Sequence, residues 1–131
     1  MDAKSKLVVK YASTAANVHD SQVFKDLVDE KDEAVFADSA YLSEEAREHL
    51  LQKDCQDFIL FKSTRGNPLS EEDKATNKLR SRIRVRCEHV FGRMTQMALD
   101  RLRCIGEVRA DLHIALGNLV YNMDRYAFLC K

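Results

Sequence analysis

Apolar positions fall into short runs in the first half of this chain and into helical stripes in the second. Residues 6–13 (Lys6-Leu7-Val8-Val9-Lys10-Tyr11-Ala12-Ser13) combine β-branched and aromatic side chains behind the turn-like Asp2-Ala3-Lys4-Ser5. That pattern predicts the second arm of a β-hairpin, whose first arm would precede Met1. Asp20 is placed to cap a short helix with Val23, Phe24, Leu27 and Val28 at helical spacing. The apolar run Ala34-Val35-Phe36-Ala37 reads as a buried strand ended by Asp38. Ser43, followed by Glu44 and Glu45, opens a helix running to about Lys53, and Phe58-Ile59-Leu60-Phe61 is a second buried strand. Beyond the loop Thr64-Arg65-Gly66-Asn67-Pro68, Ser70 with Glu71, Glu72 and Asp73 starts a long helix. Its stripe is Leu79, Ile83, Cys87, Val90, Met94 and Met97. A last helix, roughly Glu107 to Leu129, carries Val108, Leu112, Leu116, Leu119, Val120, Met123 and Ala127 on one side, which is expected to pack against the long helix.

Strand, helix, strand, helix, strand and then two helices is an α/β order: a central sheet covered on its faces, in one compact domain spanning 1–131. The 21 acids and 21 bases balance, so net charge selects no partner, but their distribution is uneven. Asp20 to Asp57 holds twelve acids against four bases, whereas Lys78 to Arg103 holds eight bases against Glu88 and Asp100. Such a chain suits phosphates on one surface and cations on another, although a solvated helix face gives the same pattern. The four cysteines are widely spaced, form no CxxC pair and follow no signal peptide, so they read as reduced thiols. No apolar run approaches the roughly 20 residues that cross a bilayer, and a cytosolic location is expected.

Two acids stand out chemically. Asp38 directly follows a short apolar strand, at the sheet edge where ligand sites of α/β folds concentrate; the same place also suits a turn or cap aspartate. Glu88 is a lone acid among Arg80, Arg82, Arg84, Arg86 and Arg93, with Arg84 four residues earlier on the same helix face, a spacing that an ordinary helical ion pair also uses. His19 and His89 belong to no zinc-ligand spacing and read as surface or cap histidines, and Met94 and Met97 as core filling. There is no glycine-rich phosphate loop, no GxSxG elbow and no Ser-His-Asp arrangement.

Three stretches carry a resemblance: Thr14-Ala15-Ala16-Asn17-Val18-His19-Asp20-Ser21, Ala37-Asp38-Ser39-Ala40-Tyr41, and residues 82–93 (RIRVRCEHVFGR). In this order, and with the tail Leu116-Gly117-Asn118-Leu119-Val120-Tyr121-Asn122-Met123-Asp124-Arg125, they resemble the catalytic domain of bacterial insertion-sequence DDE transposases. The resemblance covers nearly the whole chain. It implies an RNase H-like fold: a short central mixed sheet with flanking helices, two long C-terminal helices, and N-terminal strands missing here. It makes Asp38 the second acid of the triad and Glu88 the third, with 49 residues between them.

The chemistry so implied is Mg²⁺- or Mn²⁺-dependent hydrolysis of donor DNA followed by strand transfer, with two cations on the order of 3.5–4 Å apart held by carboxylates. The first aspartate of the family lies on a strand that the chain does not contain, so the two-metal site is expected only with that residue, and the chain alone is expected to be inactive. Arg84 matches the arginine of the Tyr-Arg-Glu-Lys signature, while its tyrosine and lysine positions fall on Ser81 and Thr95. The implied partners are DNA, as element ends and target, and a second copy or a complementing transposase fragment. Two other readings stay open: a non-enzymatic DNA-binding or regulatory protein using Lys78 to Arg103, and an unstable relic.

Overall fold

The computed structural model describes every residue but Ala16, and every side chain besides those of Asp20 and Ser21. The capping role expected of the Asp20 side chain thus lies outside the described residues. The chain divides into two compact units, one of Ala16–Arg84 and one of Met1–Ala15 with Val85–Lys131.

In the first unit a 3-10 turn, Asp20–Val23, leads into α1 (Phe24–Leu27), then β1 (Ala34–Val35), a second 3-10 turn (Ser39–Tyr41), α2 (Glu44–Gln52) and β2 (Gln56–Asp57). β1 and β2 pair in parallel, Ala34 with Gln56 and Val35 with Asp57, as a strand–helix–strand unit requires. The ladder runs past the named strands: the N–H groups of Gln56, Phe58 and Leu60 donate to the carbonyls of Glu33, Val35 and Ala37 at 2.9, 3.0 and 3.1 Å. Phe24, Val28, Ala46, Leu50, Cys55 and Ile59 form the core, with Val35, Ala37, Tyr41 and Leu42 packed against it. Leu50 and Ile59 have essentially no exposed surface.

α2 begins where its sequence predicts. The Ser43 hydroxyl accepts from the Ala46 N–H at 3.1 Å, and Glu44 and Glu45 occupy the electropositive first turn. α3 (Glu71–Gln96) opens on a reciprocal cap: the Ser70 hydroxyl accepts from the Asp73 N–H at 3.1 Å while the Asp73 carboxylate accepts from the Ser70 N–H at 3.2 Å. The two helices end alike. Asp54 and Ala98 adopt left-handed φ of 53° and 56°, and the next N–H groups, of Cys55 and Leu99, each return 2.9 Å to the carbonyls of Leu50 and Met94. This is the Schellman closure, here built without glycine.

The second unit holds the later turns of α3 and all of α4 (Glu107–Leu129). Two expectations are corrected there. Residues 6–13 form no strand; among the described residues the only sheet is the two-stranded parallel β1–β2 pair, so the antiparallel part of a mixed sheet is not formed. The segment is held by side chains of α4 instead. The Asn122 carboxamide accepts from the Val8 N–H and donates to the Val8 carbonyl, both at 2.8 Å, and the Tyr121 hydroxyl donates to the Lys6 carbonyl at 2.9 Å. A carboxamide offers one donor and one acceptor side by side, as a neighbouring strand does, so the hydrogen-bonding demand of the Val8 backbone is met without one. In the first unit Asn77 clasps both backbone groups of Phe61 in the same way, at 2.9 and 3.0 Å.

The second correction concerns the buried side of α4. The face expected to pack, Val108, Leu112, Leu116, Leu119, Val120, Met123 and Ala127, is exposed, and the buried residues are Gly117 and Tyr121 on the opposite side. Apolar side chains ring much of this helix, so periodicity alone could not decide which side turns inward.

Ala98 is exposed and left-handed. Ala98→Gly is expected to raise stability by about 0.5–1 kcal/mol, the αL penalty of an L-residue less the added chain entropy of glycine. Urea unfolding checks this, and a lower midpoint in the variant would contradict the assigned closure.

Candidate functional site

Asp38 emerges directly beyond the last ladder bond, at the carboxyl end of the parallel pair. It is exposed, and its backbone is extended at φ −72°, ψ 160°. It caps the following 3-10 turn: Oδ1 accepts from the Ser39 N–H at 2.6 Å and its carbonyl accepts from the Tyr41 N–H at 3.0 Å. The sheet-edge position and the capping role inferred separately from sequence therefore coincide in one residue. Ser39 does not engage Oδ2. Glu88 is exposed on α3, in the second unit, whereas Asp38 belongs to the first. Among the described residues no three His, Cys, Asp or Glu side chains cluster as a metal site.

The arginines differ in their surroundings. Arg80 is half-buried; Nη1 donates to the Ile59 carbonyl, and the guanidinium lies 4.6 Å from the Phe61 ring centroid and 5.7 Å from that of Phe58. Much of its work is thus to fasten α3 to the chain beyond β2. Arg82 is exposed and Arg84 half-buried. Arg86 is exposed and donates to the Ala3 carbonyl. Arg93 meets Asp124 of α4 as a fork, Nη2 to Oδ1 at 2.7 Å and Nε to Oδ2 at 2.9 Å.

The second unit also carries an open cleft of about 420 Å³ lined by Lys6, His89, Arg93, Tyr121, Asp124, Arg125 and neighbours. Lys6 Nζ lies 2.9 Å from His89 Nδ1, and Arg125 Nε donates to the Ser5 carbonyl at 2.7 Å. Sequence reasoning did not single out Lys6, Tyr121, Asp124 or Arg125. The available signal was the tail's polar residues Asn118, Asn122 and Arg125, which recur at helical spacing away from the apolar stripe. Burial raises the Tyr121 hydroxyl above its ordinary pKa. All four cysteines are free thiols, and burial pushes that of Cys55 up.

The hydrogen bonds from Arg93 hold the Asp124 carboxyl below the usual aspartate range, and Asp124 raises Arg93 in return. A carboxyl depressed in the folded state stabilises above the unfolded pKa, and that contribution fades as pH falls through the folded value. Arg93→Ala is therefore expected to move the Asp124 titration upward, toward the ordinary aspartate range, in carboxyl-carbon NMR. Its stability deficit against the parent should shrink as the pH is lowered below that range. A deficit constant with pH would show that the pair does not act through the carboxylate.

The family model for the transposase DDE domain matches residues 1–123. The transposase for insertion sequence element IS1106 of Neisseria meningitidis serogroup B is 36% identical over 81 residues, which is 60% of this chain and 28% of that protein. The match thus spans less than a third of that relative's length. No solved structure matches the chain.

Proposed function

Because the chain belongs to the transposase DDE-domain family, we propose that it forms part of an insertion-sequence transposase catalytic domain, RNase H-like in fold, in which Asp38 and Glu88 are two metal-binding carboxylates. The observation that carries this reading is Asp38, exposed at the carboxyl end of the parallel pair within the matched residues. Open α/β sheets bind ligands at that edge.

The donor chemistry fits a hard divalent ion: Asp38 and Glu88 are exposed oxygen ligands, and Oδ2 of Asp38 is not taken by its cap. A Mg²⁺ or Mn²⁺ ion held by them would polarise a phosphodiester for in-line hydrolysis and strand transfer. Two carboxylates hold such ions weakly, so residues 1–131 by themselves are expected to bind DNA without cutting it, and a third carboxylate would complete the site. Arg82 grips phosphates, with Arg84 two residues on in sequence. Arg80, Arg86 and Arg93, being engaged with Ile59, Ala3 and Asp124, contribute less. The domain acts on chromosomal DNA in the cytoplasm; among the described residues no helix is long and apolar enough to cross a membrane.

Mn²⁺ titration by calorimetry is expected to show weak binding, reduced roughly tenfold or more in Asp38→Asn, where one charged ligand is lost. Terminal-repeat duplex should stay uncut with Mg²⁺ or Mn²⁺. Robust cutting abolished by Asp38→Ala would overturn the inactivity, and Mn²⁺ binding untouched by Asp38→Asn would overturn the metal role.

Duplex binding followed by fluorescence anisotropy is expected to weaken with salt. Arg82→Ala should make the log–log slope shallower by about 0.9, one phosphate contact, while Arg80→Ala should lower folding stability and leave the slope unchanged. Salt-independent binding would remove the phosphate-gripping assignment.

A further inference from the structure

The cleft of about 420 Å³ in the second unit is lined by neither Asp38 nor Glu88. Donors reach it from three separate stretches of chain: Lys6 from the N-terminal loop, His89 from α3 and Arg125 from α4. Each has hydrogen-bonding capacity to spare. Lys6 Nζ donates to His89 Nδ1 at 2.9 Å and keeps two further protons. Because an ammonium only donates, Nδ1 accepts, and the imidazole carries its proton on Nε2 as another donor. Arg125 uses Nε on the Ser5 carbonyl at 2.7 Å and sets its guanidinium 4.9 Å from the Phe128 ring centroid, which leaves both terminal nitrogens available. Asp124 is the one acid among the described lining residues, and the Arg93 fork occupies both of its oxygens. The Lys6 backbone is also fixed in an uncommon conformation. Its φ of 64° is left-handed, and such positions persist where their surroundings over-determine them, often beside ligands. Here the Asp2 and Lys6 N–H groups donate to the Leu7 and Asp2 carbonyls at 2.9 and 3.0 Å, Ser5 donates its N–H and hydroxyl to the Asp2 carboxylate, and Tyr121 holds the Lys6 carbonyl.

We propose that this cleft binds a phosphate monoester carried on a small molecule, its phosphate held by Lys6, His89 and Arg125 and a flat apolar part resting on Phe128. A monoester offers three terminal oxygens and close to two negative charges, which matches three donor groups of which two are cations. Three features favour a compact ligand over a duplex backbone. The donors converge from three elements on one concavity, whereas a surface that tracks a duplex spreads its cations along a stripe. The volume falls within the roughly 300–1,000 Å³ of small-molecule sites. Phe128 is 63% exposed, so the cleft adds ring surface that a bare phosphate leaves unused. The closed loop beneath Lys6 lowers the ordering cost of binding, because the long side chain departs from a backbone already in place.

Titration of the full chain with phenyl phosphate, followed by proton–nitrogen NMR at about pH 7.5 where the monoester is mostly dianionic, is expected to shift the resonances of Lys6, His89 and Arg125 with a Kd on the order of 1 mM. Inorganic phosphate should shift the same residues and bind roughly threefold or more weakly, for want of the ring. Lys6→Gly accepts the left-handed φ and keeps the carbonyl that Tyr121 holds, so it should fold like the parent and bind phenyl phosphate roughly tenfold more weakly. Arg82→Ala, which removes a cation outside the cleft, should leave that binding unchanged, and saturating duplex DNA should not displace the probe. Cleft resonances that stay unmoved up to about 20 mM probe would overturn the proposal, as would Lys6→Gly binding as tightly as the parent. An equal loss in Arg82→Ala would reduce the effect to general surface charge, and displacement by duplex would assign the cleft to the DNA backbone; either result also overturns it.

Discussion

Three backbone hydrogen bonds, from Gln56, Phe58 and Leu60 to Glu33, Val35 and Ala37, determine where Asp38 emerges. Parallel pairing forces the chain to return through a crossover, and α2 is that crossover. The Schellman closure at Asp54 then turns the chain into β2, with Leu50 and Cys55, the two ends of its 2.9 Å bond, both in the core. Helix end, strand start and core are thus one local arrangement. A shift of register between the strands would carry Ile59 out of the core, so burial of that side chain holds the ladder in place.

The helix starts were legible because their signals are chemical and local. Ser43 and Ser70 sit beside acids that complete the caps, and no distant part of the chain has to be known. Helix ends were less legible, since the left-handed positions fall on Asp54 and Ala98 where glycine would be the cue. Asp38 could be placed from sequence because a short apolar run ending in an acid suffices to mark a sheet edge. Whether Asp38 and Glu88 act together is a tertiary property that no local pattern encodes.

Residues 6–13 and α4 were misread for one shared reason. β-propensity reports that a side chain suits a half-buried extended segment, without saying what satisfies the backbone beside it. Here polar side chains of α4 do so, and they lie on the face that turns inward. Once Asn122, Tyr121 and Arg125 are committed to residues 5–8, the leucine side of the helix is left outward. The count of basic residues misleads similarly: Arg80 and Arg93 add to the charge of the stretch, but their guanidinium groups have partners within the chain.

Asn77 and Asn122 each complete both hydrogen bonds of a single backbone residue. An aspartate has nearly the same shape and greater polarity, yet it would turn an oxygen toward the carbonyl of Phe61 or Val8 and repel it. Leucine would fill the space and leave both peptide groups dry. What these two positions discriminate is therefore the number of protons on one terminal atom, so even slow hydrolysis of either amide, with no change in chain length or packing volume, would loosen an anchored segment.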